Sequence, residues 1–104
     1  MKRTKRRYLA LQLKCEGVPS EREIIDAIWA AITKLYGEVG ASMTGLTLIN
    51  FDVERKIAVI RVFLASLNMV RASLATVTSI TGGVGAMHVL AVSGTLKALY
   101  ANVR

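Results

Sequence analysis

Apolar and polar positions along this chain follow two different periods. From Arg7 to Lys14 the period is two: Leu9, Leu11 and Leu13 share one side, and Tyr8, Ala10, Gln12 and Lys14 the other. That alternation predicts a strand with one buried face and one outward face. Gly17 and Pro19 break it. Ser20 followed by Glu23 is a capping box, in which the serine oxygen can accept from the Glu23 amide. Ile24, Ile25, Ile28, Ile32 and Leu35 then recur at helical spacing to Tyr36, where Gly37 supplies a left-handed cap. Trp29 either widens this apolar stripe or props an interface. Beyond a loop through Gly40, Thr44–Phe51 reads as a second strand and Asp52-Val53-Glu54 as a turn.

The third strand, Arg55–Leu64, is β-branched and apolar, as pleated packing favours. Its alternation puts Ala58, Ile60, Val62 and Leu64 on one face and Ile57, Val59, Arg61 and Phe63 on the other. Both faces suit a central strand, except that Arg61 is a charge in mid-strand. Such a charge is costly unless it is paired, reaches solvent or meets an anion. Ser66 can cap a helix running to about Ile80, with Leu67, Val70, Leu74 and Val77 as its inner stripe. Its other faces hold Met69, Ala72, Ala75, Thr76 and Ser79, with Arg71 the sole charge. A surface helix so poor in charge is enclosed by its own domain or covered by a partner. Met69 and Thr76, with Trp29 of the first helix, are therefore candidate protein-interface residues. Gly82-Gly83-Val84-Gly85 ends the helix, Met87–Val92 is a fourth strand, and Leu96, Leu99, Tyr100 and Val103 predict a short final helix opened near Ser93 or Gly94.

Strand, helix, strand, strand, helix, strand, helix is two βαβ units joined by a hairpin. Right-handed crossovers place both long helices on one face. The expected fold is an α+β ferredoxin-like sandwich with a four-stranded antiparallel sheet, helices on one face and a short C-terminal helix. The first and third strands lie centrally. Length allows a single domain, residues 1–104, with residues 1–6 as a basic N-terminal arm.

Charge sharpens the picture. The net charge is +7, and six basic residues (Lys2, Arg3, Lys5, Arg6, Arg7, Lys14) precede the first acid. Every acid lies between Glu16 and Glu54, so the second half carries Arg55, Lys56, Arg61, Arg71, Lys97 and Arg104 unopposed. This asymmetry points to a polyanion on one side of the molecule. No signal peptide is expected, because the basic start leads into an alternating strand. Ala72 to Leu96 lacks formal charge but is too polar and too broken by glycine to face lipid, so no membrane span is expected. One cysteine, Cys15, excludes an internal disulfide and suits a reducing, cytoplasmic setting. Cys15 and His88 cannot form a zinc site of the usual kind.

The chemistry of an enzyme is not legible. A GxSxG elbow fails at Ala91, two residues before Ser93, and Gly82, Gly83 and Gly85 follow a helix and precede a strand, the reverse of a dinucleotide fingerprint. Glu21, Glu23 and Asp26 are explained by the helix dipole. A sheet that stacks bases on third-strand aromatics would have only Phe63 to offer. Phosphate contacts, with strong salt dependence and little sequence preference, are the expected mode of any RNA binding.

Several segments nonetheless form a familiar set: Lys56-Ile57-Ala58-Val59-Ile60-Arg61, Val70-Arg71-Ala72-Ser73-Leu74, and Val89 through Lys97 with its Val-Ser-Gly-Thr-Leu-Lys run. Together with Arg7-Tyr8-Leu9 and Leu48-Ile49-Asn50-Phe51-Asp52, this resembles the archaeal ribonuclease P protein component 2 family, which has a related subunit in the eukaryal ribonuclease P and MRP enzymes. The resemblance implies a ferredoxin-like, non-catalytic subunit of a ribonucleoprotein endonuclease that removes the 5′ leader from precursor tRNA. It implies that the RNA performs the hydrolysis with Mg2+, that the protein alone binds no cofactor, and that precursor tRNA is met only indirectly. A TIM-barrel-like partner, component 3, is implied, and self-association is compatible with it. By position, Arg61, Arg71, Ser93, Thr95 and Lys97 become candidate RNA or structural-core contacts, joined by the basic start at Lys2, Arg3, Lys5, Arg6 and Arg7. His88 stands where a basic residue is common in the family. Contacts made by a longer basic C-terminus would be missing after Val103. Ser93-Gly94-Thr95 can be a helix cap, a phosphate site, or both. The competing reading is a self-associating ferredoxin-like module that binds a small anionic metabolite.

Overall fold

The computed structural model describes residues 5–80 and 82–103. The opening alternation becomes β1 (Arg6–Cys15), so Arg6, expected in the basic arm, is already part of the sheet. Then follow α1 (Glu21–Ser42), β2 (Thr47–Asp52), β3 (Ile57–Phe63), a 3₁₀ turn (Leu64–Ser66), α2 (Leu67–Ala75), β4 (Ser79–Ile80), β5 (Gly83–Ser93) and α3 (Leu96–Asn102). The sheet has the order β2-β3-β1-β5-β4 and every neighbouring pair is antiparallel. β1 and β3 are interior strands, as their apolar content requires.

The capping box at the start of α1 is formed in both directions. The Glu23 amide donates to Ser20 Oγ (3.2 Å) and the Ser20 amide to Glu23 Oε1 (2.9 Å). The helix breaks at Gly37, whose φ of 76° and ψ of 172° interrupt the helical run. That region is open in practice to glycine alone. A further short helical stretch carries the chain to Ser42. Ile24, Ile28, Ala31 and Ile32 are buried against Leu9, Leu11 and Leu13 of β1 and Ala58, Ile60 and Val62 of β3. Each fully buried Leu or Ile contributes about 1.5–3 kcal/mol relative to exposure. Leu35, expected in this stripe, is 46% exposed instead.

The structure departs from the sequence reading in several places. The sheet has five strands, not four, because the segment expected to continue the second helix to Ile80 leaves it after Ala75. Thr76, Val77, Thr78 and Ile80 are β-branched, which disfavours helix. Ser79 and Ile80 pair instead with Val84 and Gly83. The inner stripe survives, with Val70, Leu74 and Val77 buried. Ser66 stands at the N-cap of α2 as expected, but its hydroxyl makes no bond to the helix and donates to the Met43 carbonyl (3.3 Å) instead. The strand expected at Met87–Val92 runs from Gly83 to Ser93, and the one expected at Thr44–Phe51 starts at Thr47. Thr44 is a buried turn residue, its hydroxyl bound to the Ala41 carbonyl (2.8 Å).

The last helix also sits where alternation alone could not place it. Leu99 is fully buried on the sheet face opposite α1 and α2, with Ala10, Ile57 and Val59 beneath it. Ala10, expected to face outward, is therefore wholly buried. Both faces of the central strands are covered in their middle, and the ends of the sheet remain open.

Candidate functional site

Antiparallel register decides which charges meet. Arg6 lies opposite Phe63 and Tyr8 opposite Arg61, while on its other side Tyr8 faces Ser93. One end of the sheet, where β1 begins and β3 and β5 finish, thus gathers Lys5, Arg6, Arg7, Arg61 and Ser93, followed by Gly94, Thr95 and Lys97. The Arg7 guanidinium donates to the Arg6 carbonyl (2.9 Å), and a side chain placed on Gly94 would meet it at 3.5 Å. The Arg6 guanidinium stands 6.0 Å from the centre of the Phe63 ring, at the outer limit of a cation–π contact. Lys5 and Lys97 are exposed.

At this end Arg6, Trp29, Ser42, Thr47, Arg61 and Phe63 line an open concavity of about 290 Å³. Gly45 shapes its wall: its φ is 64°, and an added Cβ would lie 2.7 Å from the Phe63 ring. Arg61 is only partly exposed and makes no ion pair among the described residues. Its Nε is buried without a hydrogen-bond partner, a condition shared among the described side chains only by Thr33 Oγ1. The salt-bridged reading of this arginine is therefore not what the structure contains. Trp29, on α1, is 40% exposed, so it is not a core residue. Strand parity already paired Arg61 with Phe63. The arrival of Trp29, Thr47 and Arg6 in the same concavity depends on register and on the turn after Gly37, which periodicity does not encode.

Thr95 is the N-cap of α3: its Oγ1 accepts from the Ala98 amide (3.2 Å), and its own amide points to Ser93 Oγ (3.4 Å). The cap thus falls at the last residue of the expected Ser93-Gly94-Thr95 run. Arg71 does not join the group. It lines a separate shallow surface with Val77, Met87 and His88. Met69 is half-buried near Gly40, and the Thr76 hydroxyl donates to the Ser73 carbonyl (2.7 Å) at the end of α2. Lys2 and Arg3 lie outside the described residues.

The opposite end of the sheet carries a different charge balance. Every acid except Glu38 lies toward it: Glu16, Glu21, Glu23 and Asp26 around the start of α1, Asp52 and Glu54 at the β2–β3 turn. Three of the basic residues there have structural duties, while Lys14 is exposed. Arg55 Nη2 donates to the Val103 carbonyl (2.6 Å), Lys56 Nζ to the Cys15 carbonyl (2.7 Å), and Arg22 faces Asp26 (3.9 Å). Among the described residues no three His, Cys, Asp or Glu side chains gather as a metal site, and no helix is long and apolar enough to cross a membrane.

The Rpp14/Pop5 family pattern matches residues 7–103. A ribonuclease P protein component 2 from Pyrococcus furiosus is 36% identical over 97 residues, spanning 93% of this chain and 81% of the relative. The protein of the same name from Methanosarcina mazei is 35% identical over 95 residues, 91% of this chain and 80% of the relative. In the solved structures, a chain of yeast ribonuclease MRP superposes with a TM-score of 0.75 at 18% identity, covering 92% of this chain and 79% of that one. At that identity the likeness is one of fold.

Proposed function

The chain belongs to the Rpp14/Pop5 family, and from this we propose that it is a non-catalytic protein subunit of ribonuclease P that binds and stabilises the catalytic RNA. The observation that carries the reading is the match to relatives named ribonuclease P protein component 2 across more than nine-tenths of the chain. The gathering of Lys5, Arg6, Arg7, Arg61, Ser93, Thr95 and Lys97 at one end of the sheet supports an RNA contact there. Guanidinium and ammonium groups beside capped hydroxyls suit phosphate, and phosphate contacts fix position without reading sequence. We read the fold as a ferredoxin-like sandwich extended by the small β4 strand. The 5′-leader cleavage of precursor tRNA, and the Mg2+ it uses, belong to the RNA in this reading. The TIM-barrel-like component 3 is the proposed protein partner, with self-association as a second contact and the cytoplasm as the setting.

Reconstitution tests the proposal. The full chain alone should leave precursor tRNA intact at every magnesium concentration. Added to a ribonuclease P RNA, it should lower the magnesium needed for cleavage. Cleavage by RNA-free protein would contradict the non-catalytic role, and an unchanged magnesium requirement the stabilising one. Failure to be retained on bulk RNA at moderate salt would favour the small-anion module instead.

A further inference from the structure

We propose that the concavity at the basic end takes one unpaired RNA nucleotide, its phosphate held by Arg6 and Arg61 and its base laid against Trp29. The inference rests on the RNA-binding reading above and adds to it a base platform that phosphate contacts do not require. Strand composition argued against stacking, since Phe63 is the lone aromatic of β3. The structure supplies the missing ring from a helix: Trp29 lines the same concavity as both arginines.

Three features point to a nucleotide. No carboxylate lines the concavity, so its two guanidiniums face an anion without competition. The Arg61 Nε is buried with no acceptor. An Nε closed off from solvent is not itself within a ligand's reach, so the phosphate is met by the terminal nitrogens of the same guanidinium, the fork that fits it best. Finally, Trp29 leaves 40% of its surface exposed and lines the concavity together with Arg6, Arg61 and the Phe63 ring. An amphipathic ring at a basic rim is the arrangement on which single-stranded bases stack. The volume of about 290 Å³ is near the lower end for small-molecule sites, which suits one nucleotide and not a helix. A paired base cannot use the platform, because its faces are already stacked.

The site reports on itself, because Trp29 is the only tryptophan in the chain. The full chain is titrated with a dye-labelled single-stranded oligoadenylate and with an RNA duplex of equal length. Dye anisotropy follows binding and tryptophan emission follows Trp29. The single strand should quench Trp29 in step with its binding, whereas the duplex should bind without quenching. Trp29→Ala should weaken single-strand binding by about fivefold to a hundredfold and leave duplex binding unchanged. The wild-type quench stands as evidence even if that variant folds poorly. Single-strand binding with a silent tryptophan would overturn the platform while leaving RNA binding intact. Absence of binding by either RNA would overturn both. Equal quenching by inorganic phosphate would reduce the site to an anion pocket and overturn the base contact. An emission shift on adding component 3, with none on adding RNA, would assign Trp29 to a protein contact and overturn the proposal.

Discussion

Gly45 and Gly37 both sit at positive φ, yet they answer to different constraints. Around Gly37 a Cβ would meet nothing within 4 Å, so Gly37→Ala should cost only backbone strain, about 1–3 kcal/mol. At Gly45 the Phe63 ring lies 2.7 Å from the added carbon, so Gly45→Ala combines strain with overpacking, about 2–4 kcal/mol. Thermal melts should rank the two variants in that order, at about 4–8 °C per kcal/mol for a chain of this size. Thr95→Ala removes a cap and should cost about 1 kcal/mol. If Thr95 only caps α3, RNA affinity will follow that loss of stability and nothing more. The capping box and a break at Gly37 were readable because each is local chemistry, but the helical stretch that resumes to Ser42, where a loop through Gly40 was expected, was not. Arg61 as the odd charge of its strand was readable too. What it faces was not, since Tyr8, Thr47 and Trp29 reach it from distant parts of the chain.

Seven residues make α3, too few for an independent helix, so its stability comes from what it covers. Leu99→Ala should cost about 2–5 kcal/mol and raise amide exchange along the whole helix, as docking over Ala10 and Val59 is lost. The sequence showed this helix but not its face, because a short amphipathic segment fits either side of a sheet. The opposite error arose at Thr76 to Ile80. There the spacing of Leu74 and Val77 continued a helical stripe while the β-branched residues had already ended it. A two-residue strand such as β4 has no period to read. The protein-interface expectation also shifts between elements. α2 offers little exposed apolar surface, whereas Leu35, Tyr36, Val39 and Met43 are all exposed beside the Gly37 break. Val39→Glu with Met43→Glu should lower self-association or binding of component 3, seen by sedimentation, more than Thr76→Glu does.

Over the whole molecule the charges separate along the sheet. Basic side chains gather where β1 begins, and the acids lie toward the other end, where Arg55, Lys56 and Arg22 are bound to carbonyls or a carboxylate. The sequence exposed the excess of charge and its acid-free second half. It did not expose this polarity, since Arg55 and Lys56 look as free as Lys97 until the fold ties them down. RNA held by the basic end should therefore respond to where a charge is removed, not only to how many. The most direct measurement compares salt dependence for two double variants, each lacking two exposed cations: Lys5→Ala with Lys97→Ala at the basic end, Lys14→Ala with Arg22→Ala at the other. Affinity for ribonuclease P RNA is measured across a salt series for each. The basic-end pair should flatten the slope of log affinity against log salt by about 1.4–1.8, two phosphate contacts' worth, and the distal pair should leave it near wild type. Equal slopes for the two pairs would contradict an RNA interface at the basic end.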